Sequence, residues 1–127
     1  MTNYKKGRTF EYRVRDTFRN FGFKAERKAA SSPYDVIIMN NYGDVVFLVD
    51  AKKTSQRDKD YIYLKKADLK KIIRESKKFK AQPLMTYGFY RTPIYIGFPE
   101  ELLEEDGKTV RVEEGMTLEK FLENYDL

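Results

Sequence analysis

Asp35-Val-Ile-Ile-Met39, Asn40-Asn-Tyr-Gly43 and Asp44-Val-Val-Phe-Leu-Val-Asp-Ala-Lys52 run on without a break, and this stretch decides the fold. Asn and Gly tolerate positive φ, so Asn40–Gly43 reads as a hairpin turn between strands Asp35–Met39 and Asp44–Lys52. The second strand is apolar on both faces from Val45 to Val49, the pattern of a central strand covered on both sides.

Upstream, residues 6–21 read as a helix. Phe10, Val14, Phe18 and Phe21 recur at helical spacing, and Gly22 sits at the stop position. Phe23–Arg27 reads as a short strand and Ala29–Tyr34 as a turn. Downstream, residues 53–62 are polar and read as a loop. Lys65–Phe79 is a second helix with Leu69, Ile72, Ile73, Ser76 and Phe79 facing inward and lysines over the remaining surface. Pro83 ends it. Leu84–Phe89 and Ile94–Phe98 are further strands, Glu100–Asp106 an exposed turn, Thr109–Val112 a short strand and Leu118–Tyr125 a final helix. The order predicts an α/β fold: one mixed central sheet flanked by helices. Residues 1–127 form a single domain, with a core over about residues 4–100 and a small C-terminal appendage over 101–127.

Composition narrows the chemistry. The 127 residues contain neither Cys nor His. Disulfides, thiolate nucleophiles, zinc–thiolate sites and every histidine-based triad are excluded. Acid–base work falls to Asp, Glu, Lys, Tyr or water, and any divalent metal would be a hard ion such as Mg²⁺ or Mn²⁺ held by oxygen. The net charge of +5 is unevenly placed: residues 1–80 carry a net +11 and residues 81–127 a net −6. A basic majority of this kind points to a polyanionic partner, nucleic acid first. No apolar run approaches the ~20 residues of a membrane helix, and the charged start at Met1 lacks the apolar segment of a signal peptide. A cytoplasmic location without membrane contact is expected.

Side chains two apart on a strand share a face, so Asp50 and Lys52 are neighbours at the polar end of an apolar strand. The hairpin is antiparallel, which sends Asp35 to the same end, opposite residues 48–50. Glu11 lies three and seven residues before Val14 and Phe18 on the first helix, at the edge of its buried stripe. A carboxylate there is costly unless paired or metal-bound; Lys5, Lys6, Arg8 and Arg15 are available to pair with it. Carboxylates gathered in this way hold a divalent ion that polarises a phosphate and acidifies a bound water, with Lys52 beside them. The plain alternative is a same-face Asp50–Lys52 salt bridge at a strand end.

Lys6-Gly7, Glu11, Gly22-Phe23, Arg27, Ala30-Ser31-Ser32, Asp35 and Asp50-Ala51-Lys52, in that order, resemble the archaeal-type Holliday junction resolvases of the PD-(D/E)XK nuclease superfamily. Tyr63-Leu64, the lysine-rich helix and Lys80-Ala-Gln-Pro83 extend the resemblance to about residue 100. Position 50 is Asp where these resolvases usually have Glu, a carboxylate one methylene shorter in reach. The segment between Ser32 and Asp35 is also shorter than is usual.

The resemblance implies a restriction-endonuclease-like fold, a homodimer and Mg²⁺-dependent cleavage of four-way DNA junctions. Mn²⁺ is an acceptable substitute, and no small-molecule cofactor is involved. It implies Glu11, Asp35, Asp50 and the Ala51 carbonyl as metal ligands, Lys52 as the catalytic lysine, and Ser31 or Ser32 as the loop serine. Lys5, Lys6, Arg8, Arg27, Lys28, Lys53, Lys66 and Lys70 are the candidate DNA contacts. The late aromatic strands around Tyr87, Phe89, Tyr95 and Phe98 are the expected dimer surface, with the second helix as the alternative. Competing readings are another nuclease on the same fold, such as a nicking or repair enzyme, and a catalytically silent DNA-binding module.

Overall fold

A computed structural model describes residues 3–29, 31–54 and 56–125, and only the backbone of residues 3–8. The elements in chain order are α1 (Asn3–Asn20), β1 (Lys24–Arg27), β2 (Val36–Met39), β3 (Val45–Lys53), β4 (Ile62–Lys65), α2 (Lys66–Phe79), β5 (Gln82–Gly88), β6 (Tyr95–Gly97), α3 (Pro99–Leu102), β7 (Thr109–Val112) and α4 (Leu118–Glu123). The main sheet has five strands in the order β1-β2-β3-β5-β6. Only β3 and β5 pair in parallel, and α2 supplies the crossover between them. The other neighbours are antiparallel. The expected mixed sheet flanked by helices is therefore present.

The hairpin forms as read. Asn40 Oδ1 accepts from the backbone N–H groups of Tyr42 and Asp44 at 2.9 and 3.0 Å. Gly43 takes φ +86°, a conformation that favours glycine. Alternation along β3 divides the core into two layers. Phe47 and Val49 face α1 and join Phe10, Val14, Phe18, Val36 and Ile38. Leu48 faces α2 and joins Ile37, Leu69, Ile72 and Met85. Gly88 permits the close approach of α1 to β5, since a Cβ there would stand 3.1 Å from the Phe10 ring.

Five features differ from the sequence reading. β4, unforeseen, ends the 53–62 loop and pairs with β7 in a separate two-stranded sheet. α3 forms within the stretch read as an exposed turn. Phe79, expected on the inner stripe of α2, is 41% exposed and meets the Tyr34 ring edge-on. The late aromatics are interior: Tyr87, Phe89 and Tyr95 are buried against one another, and Phe98 packs on Phe121 of α4. They are not a free dimer surface, because the segment after residue 100 covers them. That segment, expected as a small appendage, contributes Val110, Val112, Leu118 and Leu122 to the two core layers. No helix among the described residues is long and apolar enough to cross a membrane.

Candidate active site

β3 outruns β2. The ladder aligns Arg27, Val36 and Val49 across β1, β2 and β3, and Asp35 N–H still bonds Val49 O at 2.9 Å. Beyond this rung β2 stops, while β3 continues to Lys53 along β5. A notch opens beside Asp50–Lys52, and the Asp35 side chain fills it. Its Oδ2 accepts the Ala51 N–H at 2.7 Å, in place of the missing strand. In a strand the N–H and C=O of one residue point the same way, so the Ala51 carbonyl also turns toward the notch. Asp50 O turns the other way and accepts from Thr86 Oγ1 on β5.

Asp50 and Lys52 share the α2 face, opposite Ala51, which packs in the α1-side layer. The Lys52 ammonium stands 3.5 Å from Asp50 Oδ1 and 3.5 Å from Asp68 Oδ2. Asp68 lies in the first turn of α2. Ser32, Pro33, Tyr34, Asp35, Asp50, Lys52, Asp68 and Lys71 line one cleft of about 160 Å³. Burial pushes the Asp50 carboxyl up to about 7. Lys52 opposes that rise, while repulsion from Asp35, a hydrogen bond to it and repulsion from Asp68 add to it. Burial depresses Lys52, but Asp50, Asp68 and Asp35 together outweigh it and the net shift is upward. The lysine is thus a fixed cation at neutral pH, not a ready proton acceptor.

Asp50 Oδ1 is buried without a hydrogen-bond partner; Lys52 at 3.5 Å is at ion-pair range only. A buried, under-satisfied carboxylate beside a second one, with a carbonyl turned to the same notch, suits a hard divalent cation. No group of three or more acidic side chains stands ready as a metal cluster among the described residues.

The remaining expected residues are distributed as follows. Glu11 stands 3.5 Å from Arg27 Nε. Arg27 follows Ala25 on the α1 face, so this pair lies across the sheet from Asp50 and Lys52. Arg27 also covers the Tyr12 ring. Of the two serines, Ser32 lines the cleft and Ser31 is exposed outside it. Lys28 is half-buried at the sheet end, its N–H bonded to Asp35 O, and Lys53 is exposed at the end of β3. Lys66 and Lys70 line a separate groove of about 510 Å³ with Lys65, Ala67, Gly107, Lys108 and Thr109. The side chains of Lys5, Lys6 and Arg8 lie outside the described residues, as does Ala30.

Sequence reasoning missed Asp68 and took Lys71 only as one of the surface lysines of the second helix. A signal was present: Asp68 is the acidic residue in the first turn of a helix dominated by lysine, and Lys71 follows one turn later on the same face.

The cleft gathers carboxylates, a fixed cation and a basic surround, without histidine. The chain belongs to the archaeal Holliday junction resolvase family, whose model matches residues 2–126. It is a structure-selective endonuclease of that family. The crossover junction endodeoxyribonuclease Hjc of Methanocaldococcus jannaschii is 31% identical over 111 residues, covering 87% of this chain and 78% of the relative. The solved structure of Archaeoglobus fulgidus Hjc, a Holliday junction resolvase, superposes with a TM-score of 0.76 at 17% identity. That likeness covers 96% of this chain and 99% of the other. The family match therefore includes the C-terminal segment, where the sequence alone showed no resemblance.

Proposed function

We propose that the cleft beside β3 is the nuclease centre and that Mg²⁺, replaceable by Mn²⁺, is its cation. The observation that carries this is the juxtaposition of Asp35, Asp50 and Lys52, with Asp50 Oδ1 buried and unbonded. Asp35, Asp50 and the Ala51 carbonyl are the donors at the notch. Glu11 is the further carboxylate at this end, shared with Arg27. When bound, the metal supplies Lewis-acid polarisation of the phosphate and a more acidic water. Lys52 faces the charge that develops on the phosphorus oxygens. Ser32 offers a hydroxyl at the cleft mouth.

Four-way junction DNA is the substrate we assign, with Lys71 at the cleft and Lys28, Lys53, Lys66 and Lys70 as backbone contacts. Arg27 acts through Glu11 and Tyr12 rather than as a free phosphate contact. Symmetric resolution needs two cuts, and each chain offers one such cleft, so the working form is a homodimer. With the late aromatics interior, α2 and its exposed Phe79 are the surface for it. The test is cleavage of a synthetic four-way junction against matched linear duplex, with Mg²⁺ and with chelator. Metal-dependent cutting confined to the junction is expected. Equal cutting of the duplex would replace this reading with a general nuclease, and no cutting would leave a binding module. Light scattering at micromolar concentration gives the stoichiometry, where a single-chain mass overturns the dimer.

A further inference from the structure

Lys52 stands at equal distance from two carboxylates that belong to different elements. Asp50 Oδ1 on β3 and Asp68 Oδ2 on α2 each lie 3.5 Å from its ammonium. These carboxylates are not equivalent. Asp50 is turned into the notch with Asp35 and the Ala51 carbonyl, where a divalent cation would compete with Lys52 for its charge. Asp68 reaches the same ammonium from the first turn of α2, a different element of the cleft.

Its place is firmly set. Leu69 and Ile72 are buried beneath α2. Lys66 N–H bonds Lys108 O at 3.0 Å, and the Lys66 ammonium bonds the Glu105 carbonyl. The first turn of α2 is thereby tied to the segment leading into β7. A carboxylate on so fixed a turn is suited to hold another side chain in place.

We propose that Asp68 is a positioning residue: it retains the Lys52 ammonium over the cleft when Asp50 turns its charge to the metal. Without it, Lys52 has only the metal-binding carboxylates to pair with, so it either opposes the cation or leaves its position. This rests on the reading of the cleft as the nuclease centre.

The test has two arms. In the first, Asp68→Asn is expected to lower junction turnover about 30- to 100-fold at saturating Mg²⁺, the size of loss a displaced catalytic group produces. Junction affinity in chelator should stay within about twofold, since phosphate contacts set it, and Asp68→Glu should recover most of the lost turnover. Wild-type turnover in Asp68→Asn overturns the proposal. In the second arm, calorimetry measures Mn²⁺ binding to the DNA-free protein. Asp68→Asn is expected to weaken binding about three- to tenfold, and to change it less than about twofold in a Lys52→Met background. Equal weakening in both backgrounds would mean that Asp68 acts by its charge alone, and would also overturn the proposal. Wild-type protein that fails to cut the junction counts instead against the nuclease centre, and the calorimetric arm reads independently of cleavage.

Discussion

The two halves of β3 are built on opposite terms. Phe47, Leu48 and Val49 are fully buried, each in apolar company on its own face of the sheet. One residue later the strand carries Asp50, half-buried, with one buried oxygen that no hydrogen-bond donor reaches. The first half gives stability and asks nothing of solvent or ligand. The second half keeps a carboxylate in an environment that raises its pKa to about 7. The backbone is continuous across the boundary, with β5 alongside throughout; what changes is that β2 stops. The polar end is thus a place where the sheet withholds a neighbour and leaves groups unsatisfied.

Substitutions on either side of that boundary should part function from stability. The largest expected effect is on turnover. Asp50→Asn and Asp35→Asn each remove a charged oxygen donor, and cleavage should fall by about 10³-fold or more, since a bound metal contributes several kcal/mol to such reactions. Junction binding in chelator should persist. Turnover near wild type at saturating Mg²⁺ in either variant would erase the distinction between the halves.

Phe47→Ala makes the converse case. Phe47 is 0% exposed and contacts the rings of Phe18, Phe23, Phe121 and Tyr125. Truncation should cost about 3–5 kcal/mol of unfolding free energy. Turnover per folded molecule should remain within a small factor of wild type at a temperature where the variant is still folded. Denaturant unfolding checks the first statement and single-turnover cleavage the second.

A smaller effect tests whether the second half is held at a cost. A carboxyl whose folded pKa lies above its ordinary 3.8 favours folding fully only below that value, and the benefit is lost as pH rises to about 7. Above pH 7 the metal-free protein therefore carries the full penalty of a buried charge. Asp50→Asn, neutral throughout, should match wild type near pH 4 and exceed it by about 1–3 kcal/mol at pH 8 in chelator. Adding Mg²⁺ should narrow the gap by stabilising wild type alone. An Asp50→Asn variant less stable than wild type at pH 8 would mean that the carboxylate is well paired without metal.

This boundary also marks how far the sequence could be read. The hairpin was legible because Asn40–Gly43 and the run Val45–Val49 are local signals, and they fix the register that brings Asp35 to Asp50. β4 was not, because its inward residues, Ile62 and Leu64, become a pattern only against β7, far along the chain. The late aromatics read as a surface because nothing local shows that α4 and the residue 113–117 segment close over them; Tyr87 OH, for one, donates to Glu113 O. Asp68 went unseen for the same reason. Its partner Lys52 lies on another element, and only the α2 crossover brings the two together.

The smallest expected effect separates two adjacent serines. The resemblance offers Ser31 and Ser32 alike, but the turn before β2 treats them differently. Ser32 N–H bonds Ala29 O at 2.9 Å, which fixes its backbone. Its side chain lines the cleft with Asp35 and Asp50, and its Oγ stands 3.5 Å from Tyr34 N. Ser31 is exposed and lines no part of the cleft. A neutral hydroxyl contact of this kind is worth about 0.5–1.5 kcal/mol. Ser32→Ala should therefore slow junction cleavage about two- to tenfold, and Ser31→Ala should leave it within about twofold. Single-turnover rates at saturating Mg²⁺ decide between them. The reverse order would mean that the loop rearranges on DNA, bringing Ser31 rather than Ser32 to the phosphate.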